Sequence, residues 1–204
     1  MILPQDFYIQ DTTDLAQALL GKVLHIKVGE MEEKARIVEV EAYLGVEDRA
    51  AHTYGDRRTK RTASMYLDGG HSYVYLIYGM YNCLNVVSRT TDHPEAILIR
   101  AVEPLTGIKP THKKDLKTNG PGKLCKHYGI TREHDGLRLW KKSSALSISD
   151  DGHEVDPKQI IACPRIGVDY AGEAAAWPLR FYIKDNIFVS KLHSSDKLTS
   201  RKRK

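Results

Sequence analysis

The segment from residue 36 to residue 44, Arg-Ile-Val-Glu-Val-Glu-Ala-Tyr-Leu, constrains the fold more than any other part of the chain. Its β-branched residues favour a strand, and successive side chains of a strand point to opposite faces. One face is apolar and consists of Val38, Val40, Ala42 and Leu44. The other face consists of Ile37, Glu39, Glu41 and Tyr43, and so carries two carboxylates and a phenol. Carboxylates are costly to bury in a hydrophobic core. The pattern therefore predicts a strand that supplies a core face and a functional site.

Periodicity along the rest of the chain predicts a mixed α and β domain without internal repeats. Strands are expected at 24–28, 34–44, 72–78, 96–103, 143–149, 178–183 and 187–191. Helices are expected at 14–20 after Thr12 or Thr13 as a cap, within 48–54, and at 120–128. Turns at 29–32 and at Asp185-Asn186 would make two hairpins. Because hairpin strands pair antiparallel, we expect an α+β fold, a single domain with a curved, mainly antiparallel sheet surrounded by short helices.

Length and composition fit one globular domain. The chain has 204 residues, of which 41% are hydrophobic and 28% are charged. No apolar run is long enough for a membrane span, and the start lacks the features of a signal peptide. The three cysteines are widely spaced and odd in number, which favours a reducing compartment. We expect a cytoplasmic monomer with one domain at 1–193, a lysine-rich loop at 107–119 and a disordered basic tail at 194–204.

Positive charge is concentrated in a few segments. The net charge is +5, but four positive charges belong to residues 201–204, so the rest of the chain carries only +1. Basic residues also cluster at 57–61 and at 109–126, whereas acidic residues gather at 30–33. Charges separated in this way favour one basic face that contacts a phosphate backbone. Charge alone leaves open the alternative that each cluster is a solvated loop.

Several common catalytic motifs are absent from the sequence. It has no Cys-x-x-Cys pair, no His-Glu-x-x-His and no Gly-x-Ser-x-Gly, so the usual zinc deaminases, zincins and esterases are excluded. The segment 120–123, Gly-Pro-Gly-Lys, is too short for the phosphate loop of an NTPase. It could bind one phosphate at a helix start or be a plain junction between loop and helix. The chemistry must come from carboxylates, arginines and aromatic rings, and five of the eleven tyrosines lie between Tyr66 and Tyr81.

Glu41 is the candidate general base, because a carboxylate beside an arginine stays ionised and can take a proton from water. Arg100, in the strand expected at 96–103, is the candidate partner. The alternative is that Glu39 or Glu41 merely pairs with a surface lysine. Tyr43 lies on the same face as Glu41, about 7 Å along the strand, and would form a wall of the same pocket. His52 is a candidate for catalysis or, more commonly for a lone histidine, a structural residue.

A series of short motifs, ordered from about residue 5 to residue 191, resembles one enzyme family. The motifs are VEVEAYLG at 38–45, AAH at 50–52, YVY at 73–75, IYGMY at 77–81, LIRAVEP at 98–104, NGPGKLC at 119–125, RIGV at 165–168, AGE at 171–173 and PLRFY at 178–182. Together they are similar to the alkyladenine (3-methyladenine) DNA glycosylase family of the mammalian type. The sequence departs from the family at 69–71, where a Pro-Gly turn is usual, and at Val40, where threonine is frequent. The mammalian N-terminal extension is missing, which implies a compact bacterial form.

The resemblance implies a DNA glycosylase of base excision repair that acts on double-stranded DNA containing damaged purines. Expected substrates are 3-methyladenine, 7-methylguanine, hypoxanthine and ethenoadenine, each rotated out of the stack before its N-glycosidic bond is hydrolysed. The enzyme would leave an abasic site, act as a monofunctional glycosylase in the bacterial nucleoid, and need no metal or cofactor.

The same resemblance implies roles for three groups of residues. DNA would be contacted by a wedge and two minor-groove residues, which are Tyr78, Met80 and Tyr81. The flipped base would be enclosed by Tyr43, His52 and Tyr75. Asn85 would exclude guanine, because its side chain would crowd the exocyclic amine of that base. The attacking water would be activated by Glu41 and held by Arg100 and the main-chain carbonyl of Ile166.

Three alternative functions stand beside this one. A non-catalytic binder of distorted DNA would need neither Glu41 nor Arg100, yet both are present. A glycoside hydrolase that used Glu39 and Glu41 as an acid–base pair would leave the basic clusters without a role. A glycosylase with lyase activity would attack with an amine and form an adduct that borohydride traps.

Overall fold

The structure, a computed structural model, describes residues 1–106 and 115–193. These residues form two α-helices and eight strands, namely α1 (Thr12–Leu19), α2 (Pro121–His127), β1 (Val23–Val28), β2 (Met31–Tyr43), β3 (Ser72–Ile77), β4 (Tyr81–Ser88), β5 (Glu95–Pro104), β6 (Leu146–Ser149), β7 (Ile160–Cys163) and β8 (Arg180–Ile183). Within them, no helix is long and apolar enough to cross a lipid bilayer. The expected basic tail and most of the expected lysine-rich loop lie outside the described residues.

Every strand pair is antiparallel, and the pairs join the strands into one sheet. Its main path runs β3-β4-β5-β2-β1-β6, while β8 pairs with β2 and with β7. The register between β2 and β5 shifts on both sides of Glu39, and such bulges bend and twist a sheet. The expected α+β fold with a curved antiparallel sheet and short helices is therefore confirmed.

Strand β2 lies at the centre of the sheet, and it positions the site. It pairs with β5 along one edge, and along the other it pairs first with β1 and then with β8. All residues from 37 to 42 are fully buried as a result. Val40 and Ala42 pack into the main core, whereas Glu39 and Glu41 are covered by polar partners from distant segments. The predicted alternation holds from Glu39 onward but is wrong before it, because the bulge at Glu39 places Ile37 in the main core and Val38 in a smaller cluster with Phe188.

Helix α1 begins one residue earlier than a threonine cap would require. Its cap is Asp11, whose side chain accepts hydrogen bonds from the main-chain N–H groups of Thr13 at 2.9 Å and Asp14 at 3.4 Å. Asp is as good a cap as Thr because either offers an oxygen to the unpaired N–H groups of the first turn. Thr12 instead points inward, where its hydroxyl contacts Ser88 Oγ at 2.6 Å.

Several strand predictions were wrong. The segment 187–191 is not a strand, and β8 pairs with β2 and β7 rather than with that segment. This segment binds Glu39 instead, because the main-chain N–H and the hydroxyl of Ser190 donate to its carboxylate at 2.6 and 2.8 Å. The sequence also fails to indicate β4, which carries asparagines, and β7, which has only four residues. Strand β6 is shorter than the expected 143–149.

Candidate active site

A cavity of about 460 Å³ opens beside the central strands, where residues expected to form the site come together. This volume lies within the usual range for a small-molecule site. Of the expected residues, those that line the cavity are Tyr43, His52, Tyr75, Tyr78, Tyr81, Asn85, Arg100 and Ile166. They come from β2, β3, β4, β5, the segment between β2 and β3, the turn between β3 and β4, and the segment after β7, so the site exists only in the folded chain.

Glu41 lies directly behind the cavity wall. Its side chain is fully buried, and its three hydrogen-bond partners, which are Tyr43, Arg100 and Ile166, all line the cavity. Oε2 accepts from the Tyr43 hydroxyl at 3.0 Å and from Arg100 Nη1 at 3.1 Å, and Oε1 accepts from the N–H of Ile166 at 2.7 Å. An ionised carboxylate offers about four acceptor positions. Within the described residues Oε2 has two donors and Oε1 has one, so one acceptor position on Oε1 has no hydrogen-bond partner.

Arg100 forms ion pairs with both buried carboxylates of β2, those of Glu39 and Glu41. Its Nη1 contacts Glu41 and its Nε contacts Glu39 Oε1, each at 3.1 Å. Burial alone would lower the pKa of Arg100, but Glu41 and Glu39 outweigh it and raise that pKa above its usual value. Arg100 therefore remains a cation, and the ion pair expected between it and Glu41 is present. Neither carboxylate pairs with a surface lysine among the described residues.

Glu39 has a different environment from Glu41. It accepts hydrogen bonds from Arg100, from Arg180 Nη1 at 2.9 Å, and from the N–H and hydroxyl of Ser190. Glu39 does not line the cavity, and its donors occupy both of its oxygens. This saturated carboxylate stabilises the junction of β2, β5 and β8, and the geometry opposes an acid–base pair made of Glu39 and Glu41.

A second buried ion pair fixes the wall next to Glu41. Arg165 contacts both carboxylate oxygens of Asp48, at 2.5 and 2.9 Å, and donates to the carbonyls of Ala42 and Ala174. Its guanidinium carbon also lies 4.7 Å from the centre of the Tyr43 ring. Arg165 thus ties the end of β2 to the segment that carries Ile166. Arg165 belongs to the RIGV motif, but sequence reasoning missed the pair because it gave neither Arg165 nor Asp48 a role.

One wall of the cavity is a cluster of aromatic rings. The rings of Tyr73 and Tyr75 are 5.3 Å apart, and His52 meets Tyr75 edge-on at 4.5 Å. His52 Nδ1 contacts the hydroxyl of Tyr73 at 2.9 Å. Burial, followed by Arg61 and Arg57, lowers the pKa of His52 to about 4, so its imidazole is neutral at pH 7. Tyr73 is a wall residue for which the sequence analysis had no role.

Asn85 lies on β4 opposite Tyr73 on β3, and it is buried at the cavity wall. Its side-chain nitrogen donates to the main-chain carbonyl of Tyr73 at 3.0 Å. The same nitrogen donates to the carbonyl of Cys83 at 3.4 Å, so both donors of the amide are used and its orientation is fixed. Asn85 therefore presents a rigid surface to any ligand in the cavity.

The turn between β3 and β4 projects two large apolar side chains into solvent. Tyr78 is 82% exposed and Met80 is 69% exposed, while Tyr81 is partly covered. Tyr78 and Gly79 both have left-handed backbone conformations, with φ of 52° and 68°, which close the turn. Exposed aromatic residues at a rigid tip beside a cavity are typical of a binding surface.

The start of α2 supports this turn. A Cβ atom at position 122 would lie only 2.9 Å from the Cβ of Tyr81, so glycine is required for the two elements to approach. The segment 120–123 therefore serves as a junction packed against β4, and it lines the cavity as well. Whether it also binds a phosphate stays a prediction.

Comparison with known proteins identifies the family. The sequence profile of the Methylpurine-DNA glycosylase (MPG) family matches residues 6–187. The chain belongs to this family. As a methylpurine-DNA glycosylase, it is an enzyme of DNA repair that acts on alkylated bases.

The relatives of this methylpurine-DNA glycosylase are similar along nearly their whole length. Each is named "Putative 3-methyladenine DNA glycosylase". The protein of Bdellovibrio bacteriovorus is 69% identical over 191 residues, which cover 94% of this chain and 100% of the relative. The protein of Clostridium novyi is 48% identical, covering 93% and 98%, and that of Bacillus cytotoxicus is 45% identical, covering 94% and 100%.

Two observations complete the description of this glycosylase. The N–H of Ile166 contacts Glu41, while the role expected for its carbonyl in holding a water stays a prediction. In the part of the chain that the structure describes, no cluster of three or more His, Cys, Asp or Glu side chains could hold a metal ion.

Proposed function

We propose that this glycosylase rotates alkylated and deaminated purines out of duplex DNA and hydrolyses their N-glycosidic bond with a water activated by Glu41. The proposed substrates are 3-methyladenine, 7-methylguanine, hypoxanthine and ethenoadenine. One observation carries the proposal: Glu41 is held by three donors directly behind an aromatic cavity, and it keeps one free acceptor position on Oε1. A buried carboxylate so arranged can orient and deprotonate a single water molecule.

The turn between β3 and β4 is proposed to enter the DNA. Extruding a base leaves a gap in the stack and costs a few kcal/mol. Tyr78 is exposed, borders the cavity and lies at the tip of a tight turn, so its ring can fill that gap. Met80 and Tyr81 would contact the minor groove beside it, where apolar wedges commonly act.

The aromatic wall is proposed to hold the flipped base. Purines methylated at N3 or N7 carry a positive charge, and an aromatic face attracts a cation by roughly 0.5–2 kcal/mol. Tyr75 and His52 would form one side of the base pocket, and Tyr43, which lines the same cavity, would contribute another ring. Asn85 is locked by its bond to Tyr73, so it cannot move aside for the exocyclic amine of guanine.

The chemical step follows from the position of Glu41. Its Oε1 takes a proton from water while the water oxygen forms a bond to the sugar C1′. The C1′–N9 bond breaks, and its electron pair leaves with the base. The negative carboxylate also stabilises the positive charge that develops on the sugar. Arg100 and Tyr43 keep Oε2 occupied, so they direct the water to Oε1.

We propose that the enzyme is monofunctional. A lyase would need an amine beside C1′, and Lys123 is the lysine that lines the cavity among the described residues. Its Nζ is already engaged in a hydrogen bond to Asn119 Oδ1 at 3.0 Å. Borohydride should therefore trap no covalent adduct with lesion DNA, and a trapped adduct would support the lyase instead.

The proposal is tested with duplex oligonucleotides that each carry one lesion. After incubation with the protein, hot alkali cleaves the strand at any abasic site, and the cleaved fraction measures base release. Cleavage is expected at all four lesions and not at an undamaged adenine in the same context. Tight binding of the duplexes without any cleavage would identify a non-catalytic binder of distorted DNA.

A further inference from the structure

The guanidinium of Arg61 lies against the aromatic wall of the cavity. Its central carbon is 5.0 Å from the centre of the Tyr75 ring, and its Nη2 is 3.3 Å from His52 Nε2. Arg61 itself does not line the cavity and is exposed to solvent on its outer side. A positive charge is thus fixed at the rim of the site, in contact with two rings that border the base pocket.

The contact with Arg61 sets the protonation of His52. A guanidinium can only donate, so Nε2 of His52 must accept. The ring proton then resides on Nδ1, which donates to the Tyr73 hydroxyl at 2.9 Å. In this tautomer His52 carries no charge and has no proton to give to a departing base. At neutral pH the positive charge at this wall belongs to Arg61 and not to His52.

We propose that Arg61 determines specificity by favouring neutral purine lesions over cationic ones. The inference rests on the proposed function, because it requires a purine held against Tyr75. A cationic base would be repelled by Arg61 and would compete with it for the electron-rich ring. A neutral base is not repelled in this way.

The bond-breaking step acts in the same direction. When a neutral base leaves, the electron pair of the C1′–N9 bond gives it a developing negative charge, which Arg61 stabilises. When a cationic base leaves, the same electron pair cancels its positive charge, so the nearby guanidinium brings no benefit. Arg61 should therefore accelerate release of hypoxanthine and slow release of 7-methylguanine.

The test compares these two lesions in the same duplex under single-turnover conditions, with wild-type protein and Arg61→Gln. Hypoxanthine release should slow by about threefold to tenfold, and 7-methylguanine release should stay the same or rise, so the ratio of the two rates should shift by at least about threefold. Opposite responses distinguish a charge effect from damage to the fold, because damage lowers both rates. Arg61→Lys, which keeps the charge, should restore most of the wild-type ratio.

Arg58→Gln is the matched control. It removes the same charge from the same segment, but Arg58 contacts Asp92 at 2.9 Å and lies over Tyr66, away from the cavity wall. It should change both rates together and leave their ratio as in the wild type. If the wild-type protein releases both bases and Arg61→Gln leaves the ratio of the two rates unchanged, the inference about Arg61 is overturned and the proposed function still stands. Failure of the wild-type protein to release either base would overturn the proposed function.

Discussion

Tyr43 donates its hydroxyl to Oε2 of Glu41 at 3.0 Å, although the two residues lie on the same face of one strand, two positions apart. Burial and then the negative charge of Glu41 raise the pKa of the Tyr43 phenol well above its usual value. Tyr43 therefore stays protonated and continues to donate throughout the physiological pH range. A wall residue of the cavity thus also fixes the orientation of the carboxylate behind it.

Glu41→Gln should separate binding from catalysis. The amide keeps the shape of the side chain but cannot accept a proton, so base release should fall by at least about a hundredfold. Affinity for lesion DNA should stay within about threefold of wild type, since Glu41 has no exposed surface. Glu32→Gln, on the exposed start of β2, is the control. Gel-shift titration and the alkali assay measure the two quantities, and full base release by Glu41→Gln would remove Glu41 from the base role.

Tyr43→Phe should lower the rate of the chemical step while leaving the aromatic wall intact. The change removes one of two donors to Oε2, and a hydrogen bond to a charged group is worth about 1.5–3 kcal/mol, so a loss of about tenfold or more is expected. Tyr54→Phe, at an exposed tyrosine, is the control. Single-turnover rates at saturating enzyme report the effect, and an equal rate in both variants would show that Tyr43 only packs.

Tyr78→Ser should weaken binding to a duplex that contains a pyrrolidine-type abasic mimic. The exposed ring is expected to fill the gap in the stack, and stacking on an aromatic side chain is worth about 1–3 kcal/mol, which corresponds to roughly fivefold or more in affinity. Tyr54→Ser provides the control for loss of an exposed ring. Fluorescence anisotropy gives the affinities, and an unaltered affinity in Tyr78→Ser would count against a wedge.

His52 should make the stability of the protein depend on pH. Its pKa is about 4 in the folded chain and about 6.5 when unfolded, so the unfolded chain binds more protons between these values. The contribution is fully present above pH 6.5 and is lost as the pH falls toward 4, by roughly 2–3 kcal/mol in total. Urea unfolding at pH 7 and pH 4.5 should show a smaller difference for His52→Asn than for wild type. The exposed His153→Asn should behave as wild type.

Asp48→Asn should destabilise the fold strongly, because it leaves the buried Arg165 without a charged partner. Breaking a buried pair in this way costs about 3–5 kcal/mol. Asp151→Asn breaks the more exposed pair with Arg36 and should cost no more than about 1 kcal/mol. Thermal unfolding of the two variants provides the comparison, and similar losses of stability would contradict the structural role of the buried pair.

The sequence predicts the secondary-structure elements that are determined by residues near each other along the chain. The hairpin of β1 and β2, strand β5 and helix α2 follow from periodicity and turn residues, and Arg100 is the candidate partner of Glu41 before the pairing of β2 with β5 is known. Opposite charges on two apolar strands have few other partners within reach. These features account for the centre of the sheet and for the acid at the centre of the site.

The remaining features depend on contacts between distant parts of the chain. The main-chain N–H of Ile166 reaches Glu41 across 125 positions, and Ser190 reaches Glu39 across 151. Main-chain donors are common to almost all residues, so no residue type marks them in a sequence. The false strand at 187–191 also depends on distant contacts, because Phe188 and Val189 are buried in small apolar clusters while Ser190 donates to Glu39.

The contact between Gly122 and Tyr81 has a consequence for engineering the enzyme. The start of α2, which has no expected role in catalysis, packs against the strand that follows the turn carrying Tyr78. This packing therefore influences how far the Tyr78 ring projects. Even a single methyl group introduced at position 122 would push the two elements apart and tilt the ring. Insertion depth can therefore be adjusted from the start of α2, on a side of the cavity that carries none of the residues proposed for the chemical step.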